Sequence, residues 1–149
     1  MTDHEHYMRI ALEEAERGAA EGNAAVGSIL VEADTVVARG RNLVTSTSDP
    51  TAHAETVALR NAGVQLGHID FSKLTLYTTF EPCPMCCGAI LASGAHTLVM
   101  GARHDLTQSR WGAYSVEKLL ELTDRTTQLT LVTGVLVQAC RDVRDLETT

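Results

Sequence analysis

Apolar residues along this chain recur with two periods, one helical and one of strand type. Over residues 3–21, Tyr7, Ile10, Ala11, Ala15 and Ala19 form a helical stripe, with Glu13, Glu14, Glu16 and Arg17 largely outside it. Thr2 or Asp3 can cap the start of this helix, and Gly22-Asn23 ends it. Residues 25–31 are a short apolar run, expected as a buried strand. A turn at Asp34-Thr35 leads to a second strand over 35–44, and so short a link predicts an antiparallel pair. A polar loop follows over 45–49.

The next segment, 50–66, reads as a helix with Val57, Ala58, Ala62 and Leu66 inward and His53 in its first turn. Residues 74–79 form a strand. Pro82 and Pro84 bracket Cys83, and proline suits the first turn of a helix that runs to about Ser93, with Gly94 near its end. A strand is expected over 97–101. The stretch 103–114 is polar and holds the only tryptophan, Trp111. A helix over 115–122, a strand over 129–133 and a closing helix over 135–146 complete the pattern. No repeat or linker interrupts it. Strands alternating with helices predict one domain over 1–149, an α/β sandwich around a mixed sheet.

Composition narrows the setting. The chain has 149 residues, 44% of them hydrophobic, which suits one domain with its own core. It has no apolar run of about 18 residues to cross a membrane. The start, Met1-Thr2-Asp3-His4-Glu5-His6, lacks the basic and apolar stretches of a secretory signal, so a cytoplasmic location is expected. The formal net charge of −7 speaks against a large nucleic-acid partner and for a small substrate.

The candidate chemistry sits in His53-Ala54-Glu55 and Pro82-Cys83-Pro84-Met85-Cys86. Cys83 and Cys86, three apart, can face one side of a helical turn. A helix N-terminus favours the thiolate, the form that binds zinc. His53 supplies a third ligand from another helix start. Three protein ligands with one open position is the catalytic zinc pattern, because structural sites close all four. Two thiolates offset the metal's charge, so the site gains from a strong proton acceptor. Glu55, two residues from His53, can take a proton from the zinc-bound water and deliver it to a ring and then to a leaving amine. The competing readings are a structural zinc closed by Cys87, a zinc-stabilised binding module, and a redox pair. On a helix Cys87 turns about 100° from Cys86, so it reads as packing. Pro84-Met85 lacks thioredoxin-like context. His4, His6, His68 and His96 have no partner at metal spacing, and Cys140 reads as buried.

These motifs, with Ala25-Val26-Gly27, Asn42, Asp49-Pro50-Thr51-Ala52, Leu76 to Glu81, Gly88-Ala89-Ile90 and Gly101-Ala102-Arg103, resemble the cytidine and deoxycytidylate deaminase superfamily. They look most like its branch of guanine deaminases, fungal-type cytosine deaminases and transfer-RNA wobble adenosine deaminases, over roughly residues 5–105. The resemblance implies a three-layer α/β/α sandwich with a five-stranded mixed sheet and one zinc per chain between two helix N-termini. It also implies hydrolytic deamination and a homodimer. Small residues Gly88, Ala89, Ala92, Ser93 and Ala95 suit close packing at such an interface. Asn42 would hydrogen-bond the bound base. Ala54 and the backbone near Val26 and Glu81 would complete the pocket wall.

After Arg103 the likeness fades. Guanine deaminases carry an acidic residue shortly after a glycine in this loop, whereas Gly112 here precedes Ala113-Tyr114. Wobble adenosine deaminases have a small-residue segment and basic surroundings, and this chain has neither. The expected substrate is therefore a free nucleobase or related amino-heterocycle, with the transfer-RNA reaction as the alternative. Trp111 is either a lid that stacks on the ring or a core tryptophan, and His104 is either a pocket residue or, the favoured reading, a surface histidine.

Overall fold

Alternation within the strands sorts the core into two layers on either face of one sheet. The computed structural model describes residues 2–148; Met1 and Thr149, the ends of the expected domain, lie outside the described residues. The elements are α1 (His4–Ala20), β1 (Gly27–Glu32), β2 (Thr35–Arg41), α2 (Val44–Thr47), α3 (Ala54–Leu66), β3 (Thr75–Phe80), α4 (Pro84–Ser93), β4 (Thr97–Ala102), α5 (Val116–Leu122), β5 (Thr130–Val132) and α6 (Val137–Arg144), with a 3-10 turn at Asp145–Thr148. The five strands run in the order β2-β1-β3-β4-β5. β1 is antiparallel to β2 and β3, while β3, β4 and β5 are parallel, so the sheet is mixed as expected.

Leu30, Leu76, Leu98 and Met100 face a layer that contains Ala58 and Ala62 of α3, Cys87 and Ile90 of α4, and Val116 and Leu120 of α5. Their neighbours Ile29, Val31, Tyr77 and Val99 face Tyr7, Met8 and Ala11 of α1 and Cys140 of α6. This is the three-layer α/β/α sandwich. No helix among the described residues is long and apolar enough to cross a membrane.

Several local expectations shift, each for a visible reason. The hairpin turn is Ala33-Asp34, both at positive φ (47° and 63°), and not Asp34-Thr35, because Thr35 already pairs with Glu32. The polar loop contains the short helix α2. The second long helix begins at Ala54 because Asp49 captures the amide and hydroxyl of Thr51 (2.8 and 2.7 Å), which makes the preceding residues a turn. His53 is therefore the N-cap, not a first-turn residue. Glu14 is not on the solvent side of α1: it is 2% exposed and is paired with Arg17, Arg39 and Arg41. Burial of a charge is tolerable when it is paired in this way.

Gly40 of β2 lets α3 lie close to the sheet. A Cβ there would collide with the backbone of Ala54 and Ala58, in the first two turns of α3. Gly40→Ala is expected to cost roughly 1–3 kcal/mol by overpacking. At about 2–4 °C per kcal/mol for a chain of this size, the melting temperature should fall measurably. Zinc content should fall with it, because the strain is applied beside His53. A normal melt with full zinc would show that this contact does not hold the helix.

Candidate active site

The start of α3 and the start of α4 meet over the sheet. His53 is the N-cap of α3 (φ −71°, ψ 158°) and Cys83 the N-cap of α4 (φ −67°, ψ 171°). Extended backbone just before a helix points each side chain forward, past the first turn. Pro84 at the first helical position of α4 fixes that geometry. Cys86 follows in the first turn and is fully buried. His53 Nδ1 lies 3.5 Å from Cys83 Sγ. One ligand atom from each of His53, Cys83 and Cys86 falls within 4.8 Å of the others. Two sulfurs and one imidazole nitrogen at that spacing fit a tetrahedral zinc ion with one open position. A hydrogen bond from Cys86 brings the Cys83 thiol down to about 4; burial opposes this and His53 reinforces it. The same contact with Cys83 raises the pKa of His53.

Cys87 is not part of this group. It lies fully buried in the core layer with Ile90, which is the packing role expected of it. The four cysteines form no disulfide, and Cys140 is buried against the other face of the sheet.

Glu55 lies one residue into α3 and is 3% exposed. Ser28 Oγ and Thr78 Oγ1 donate to its Oε1 at 3.4 and 3.3 Å. Both donors stand on central strands, so the sheet itself fixes the carboxylate. Burial is the dominant influence and pushes the Glu55 carboxyl up, with contact from Cys86 opposing it. A raised carboxyl pKa suits a group that both accepts and returns a proton.

A cavity of about 900 Å³ opens over these residues. Asn42, Val26, Ala54, Glu81 and Trp111 all line it. Asn42 is buried; its Oδ1 accepts from the Val44 backbone amide at 3.0 Å, and its backbone N–H donates to the Val26 carbonyl at 3.2 Å. That leaves the side-chain NH₂ as the group Asn42 can offer a ligand. Glu81 reaches the wall, but its carboxylate is engaged by the scaffold. Arg103 Nε and Nη2 donate to it at 3.1 and 2.9 Å, and the amides of His104 and Val116 at 3.1 and 2.9 Å. Burial alone would raise its pKa; Arg103 and the two amides outweigh burial and hold the carboxyl below its usual range. Trp111 is half-buried at the cavity and belongs to neither core layer, which favours the lid reading.

The sequence reading missed three things here and ranked a fourth, His104, the wrong way round. Ser28 and Thr78 hold Glu55, and their small polar side chains inside apolar strands were the available signal. His104 is a wall residue rather than a surface one, set edge-on against Phe80 and Tyr114 at 5.0 and 5.8 Å between ring centres. Arg110 also lines the cavity, from within the loop left unassigned. Arg144 lines it too, from the far end of the chain, and no local pattern announces it.

Comparison with known proteins agrees with this geometry. Residues 1–102 match the family described as the cytidine and deoxycytidylate deaminase zinc-binding region. The chain is 45% identical over 102 residues to the chloroplastic tRNA(adenine(34)) deaminase of Arabidopsis thaliana; the match spans 68% of this chain but only 8% of that much longer protein. It is 41% identical over 144 residues to the tRNA-specific adenosine deaminase of Haemophilus influenzae, covering 91% of this chain and 78% of the relative. Its fold superposes on a guanine deaminase structure from Nitrosomonas europaea with a TM-score of 0.82 at 28% identity, covering 97% and 85% of the two chains.

Removing ligands and removing the carboxylate should have separable effects. Cys83→Ala and Cys86→Ala should lose most zinc by elemental analysis. Glu55→Ala should keep its zinc and lose activity by at least about 10²-fold, the low end for general acid–base catalysis. Full zinc in both cysteine variants, or wild-type turnover in zinc-replete Glu55→Ala, contradicts the assignment.

Proposed function

The chain belongs to the cytidine and deoxycytidylate deaminase zinc-binding family, and we propose that it hydrolyses the exocyclic amine of a free nucleobase or related amino-heterocycle, releasing ammonia. Zinc held by His53, Cys83 and Cys86 would supply a Lewis acid at the floor of the cavity. Glu55 would take one proton from the attacking water and deliver it to the ring nitrogen, then take the second proton of that water from the new hydroxyl group and hand it to the departing amine. Ser28 and Thr78 keep its carboxylate aimed while it does so. The Asn42 amide orients the ring edge, and Trp111 covers the ring face and excludes water. In the net reaction a C–N bond is exchanged for a C–O bond, and water is the only co-reactant.

The observation that carries the small-substrate reading is how the cations are used. Arg9, Arg17, Arg39, Arg41, Arg103 and Lys118, half of the twelve in the chain, are each paired with a carboxylate. A folded anticodon stem needs unneutralised cations along its backbone track. The second reading, deamination of adenosine in transfer RNA, is favoured by the names of the two relatives above. An ammonia-release screen over free bases, nucleosides and an anticodon stem-loop decides between them. Turnover of the stem-loop much faster than every free base would overturn the first reading. We also infer one catalytic domain over residues 1–149, a cytoplasmic setting and a homodimer. Exposed Met85, Gly88 and Ala92 share one face of α4 and suit such an interface, and the mass in solution is the check.

Trp111→Ala should raise KM or lower kcat while leaving zinc content and melting temperature nearly unchanged. A core tryptophan would instead cost about 3–5 kcal/mol of stability. A large fall in melting temperature with normal kinetics at low temperature would place Trp111 in the scaffold.

A further inference from the structure

Both ends of the loop after β4 are fastened to the chain just before the zinc-binding cysteines. Glu81 Oε1 accepts from the His104 amide at 3.1 Å and Glu81 Oε2 from the Val116 amide at 2.9 Å, so one carboxylate holds the start and the end of the loop. Between them the loop is closed by its own turns. Asp105 Oδ1 accepts from the amide and hydroxyl of Thr107 at 2.9 and 2.6 Å, and the Trp111 carbonyl accepts from the Tyr114 amide at 3.2 Å. A surface loop with its ends together and its own internal bonds is a compact unit. The family match ends at residue 102, so this unit lies outside it.

The side chain at the end of that loop reaches the metal centre from behind. The Tyr114 hydroxyl donates to the Pro82 carbonyl at 2.6 Å, a full-strength O–H···O bond. A side-chain contact joins the same phenol to Cys87. Pro82 and Cys87 are the outer neighbours of the Cys83 and Cys86 pair, so one hydroxyl meets both of its flanks. The ring packs against the core layer of α4 and α5 and stands edge-on to His104 at 5.8 Å between ring centres, which holds the hydroxyl in place.

The peptide before Cys83 is the joint that such a bond can lock. Proline fixes φ at Pro82, and Pro84 confines Cys83 to extended backbone, with ψ at 171°. The tilt of the planar peptide between Pro82 and Cys83 is left free, and its oxygen is the atom that Tyr114 binds. Tilting that plane changes φ of Cys83, −67° here, and swings its Sγ relative to His53 Nδ1, 3.5 Å away. Cys86 needs no such support, because the bond from the Cys87 amide to the Cys83 carbonyl (2.8 Å) closes the helical turn that carries it.

We propose that Tyr114 is a positioning residue for the zinc-binding pair: its hydroxyl holds the Pro82–Cys83 peptide, and with it the Cys83 sulfur, in the geometry that receives the metal. The loop that carries Trp111 then also supports the metal site. This role rests on the zinc-dependent reading of the site given above.

The test uses the full chain and Tyr114→Phe, which keeps the ring and removes only the hydroxyl. Zinc affinity is read by competition with a chromogenic chelator, and the metal's surroundings by the visible spectrum of the cobalt(II)-substituted protein. Tyr114→Phe should bind zinc about 10–100-fold more weakly, the usual effect of losing an outer partner of a metal ligand, with a cobalt spectrum shifted from wild type. The zinc-free forms should melt at similar temperatures. Tyr7→Phe, which removes a hydroxyl from the α1 layer on the other face of the sheet, should match wild type in both metal readouts. If zinc-free Tyr114→Phe unfolds, the rate at which excess chelator strips the loaded proteins gives the same comparison, and loss about tenfold faster or more is expected. Unchanged zinc binding and an unchanged cobalt spectrum, or an equal loss in Tyr7→Phe, would overturn this role and leave the zinc site standing. Neither readout is turnover, so failure on every amine tested would sink the deaminase reading alone. A wild-type chain that binds no zinc overturns both.

Discussion

His53 and Cys83 occupy the same structural position, the extended residue just before a helix, and the metal centre depends on those two helix starts meeting. A helix start is rigid on its helical side and carries partial positive charge, which favours thiolate ligands and holds their direction. The remaining ligand, Cys86, follows from Cys83 by helical spacing alone. The geometry of three ligands thus reduces to where α3 and α4 begin and how closely they approach the sheet. The turn at Asp49 to Thr51 sets the first start, Pro84 sets the second, and Gly40 permits the approach.

Around that centre, charge is placed by pairing rather than by exposure. Glu55, Glu81 and Glu14 are all nearly fully buried, yet each is held differently. Glu55 is met by two hydroxyls and by a contact from Cys86, and burial outweighs them, so its pKa rises. Glu81 has a bidentate arginine and two amides, so it stays ionised and locks β3 to the loop after β4 and to the start of α5. Glu14 ties α1 to β2 through Arg39 and Arg41. Arg103 also binds Glu117 on α5, which reinforces the hold on that helix.

Legibility from the sequence follows the range of the interaction. The metal ligands and Glu55 are set by short spacings, two and three residues, on helix starts flagged by proline and turn residues, and these could be read directly. The alternation of strands with helices also gave the sandwich; which strand residue faces which layer, Leu30 against Ile29 or Leu76 against Tyr77, is settled only once the strands are in register. Glu14 was misplaced because hydropathy cannot see three arginines arriving from its own helix and from β2. The start of α3 was placed early because Pro50 suits a first turn in isolation; only the capture of Thr51 by Asp49 shows that those residues are already in use. Trp111 could not be assigned, because loop residues take their surroundings from elements far away in the chain.

The cavity wall shows the same limit in its strongest form. Arg144 reaches the site because α6 packs against β4, and it can do so because Gly101 has no side chain. A Cβ there would strike Cys140 Sγ and crowd the Thr79 carbonyl. Cys140 and Arg144 are four apart, so they share a helix face. When Cys140 is seated over Gly101, Arg144 falls over Phe80, at the end of the strand that leads to the first zinc-binding cysteine. The reaction centre is therefore written into two local motifs. The Arg144 side of the cavity wall is written into a glycine on one strand and a helix some forty residues later. A change in α6 would reshape that wall without touching the three metal ligands.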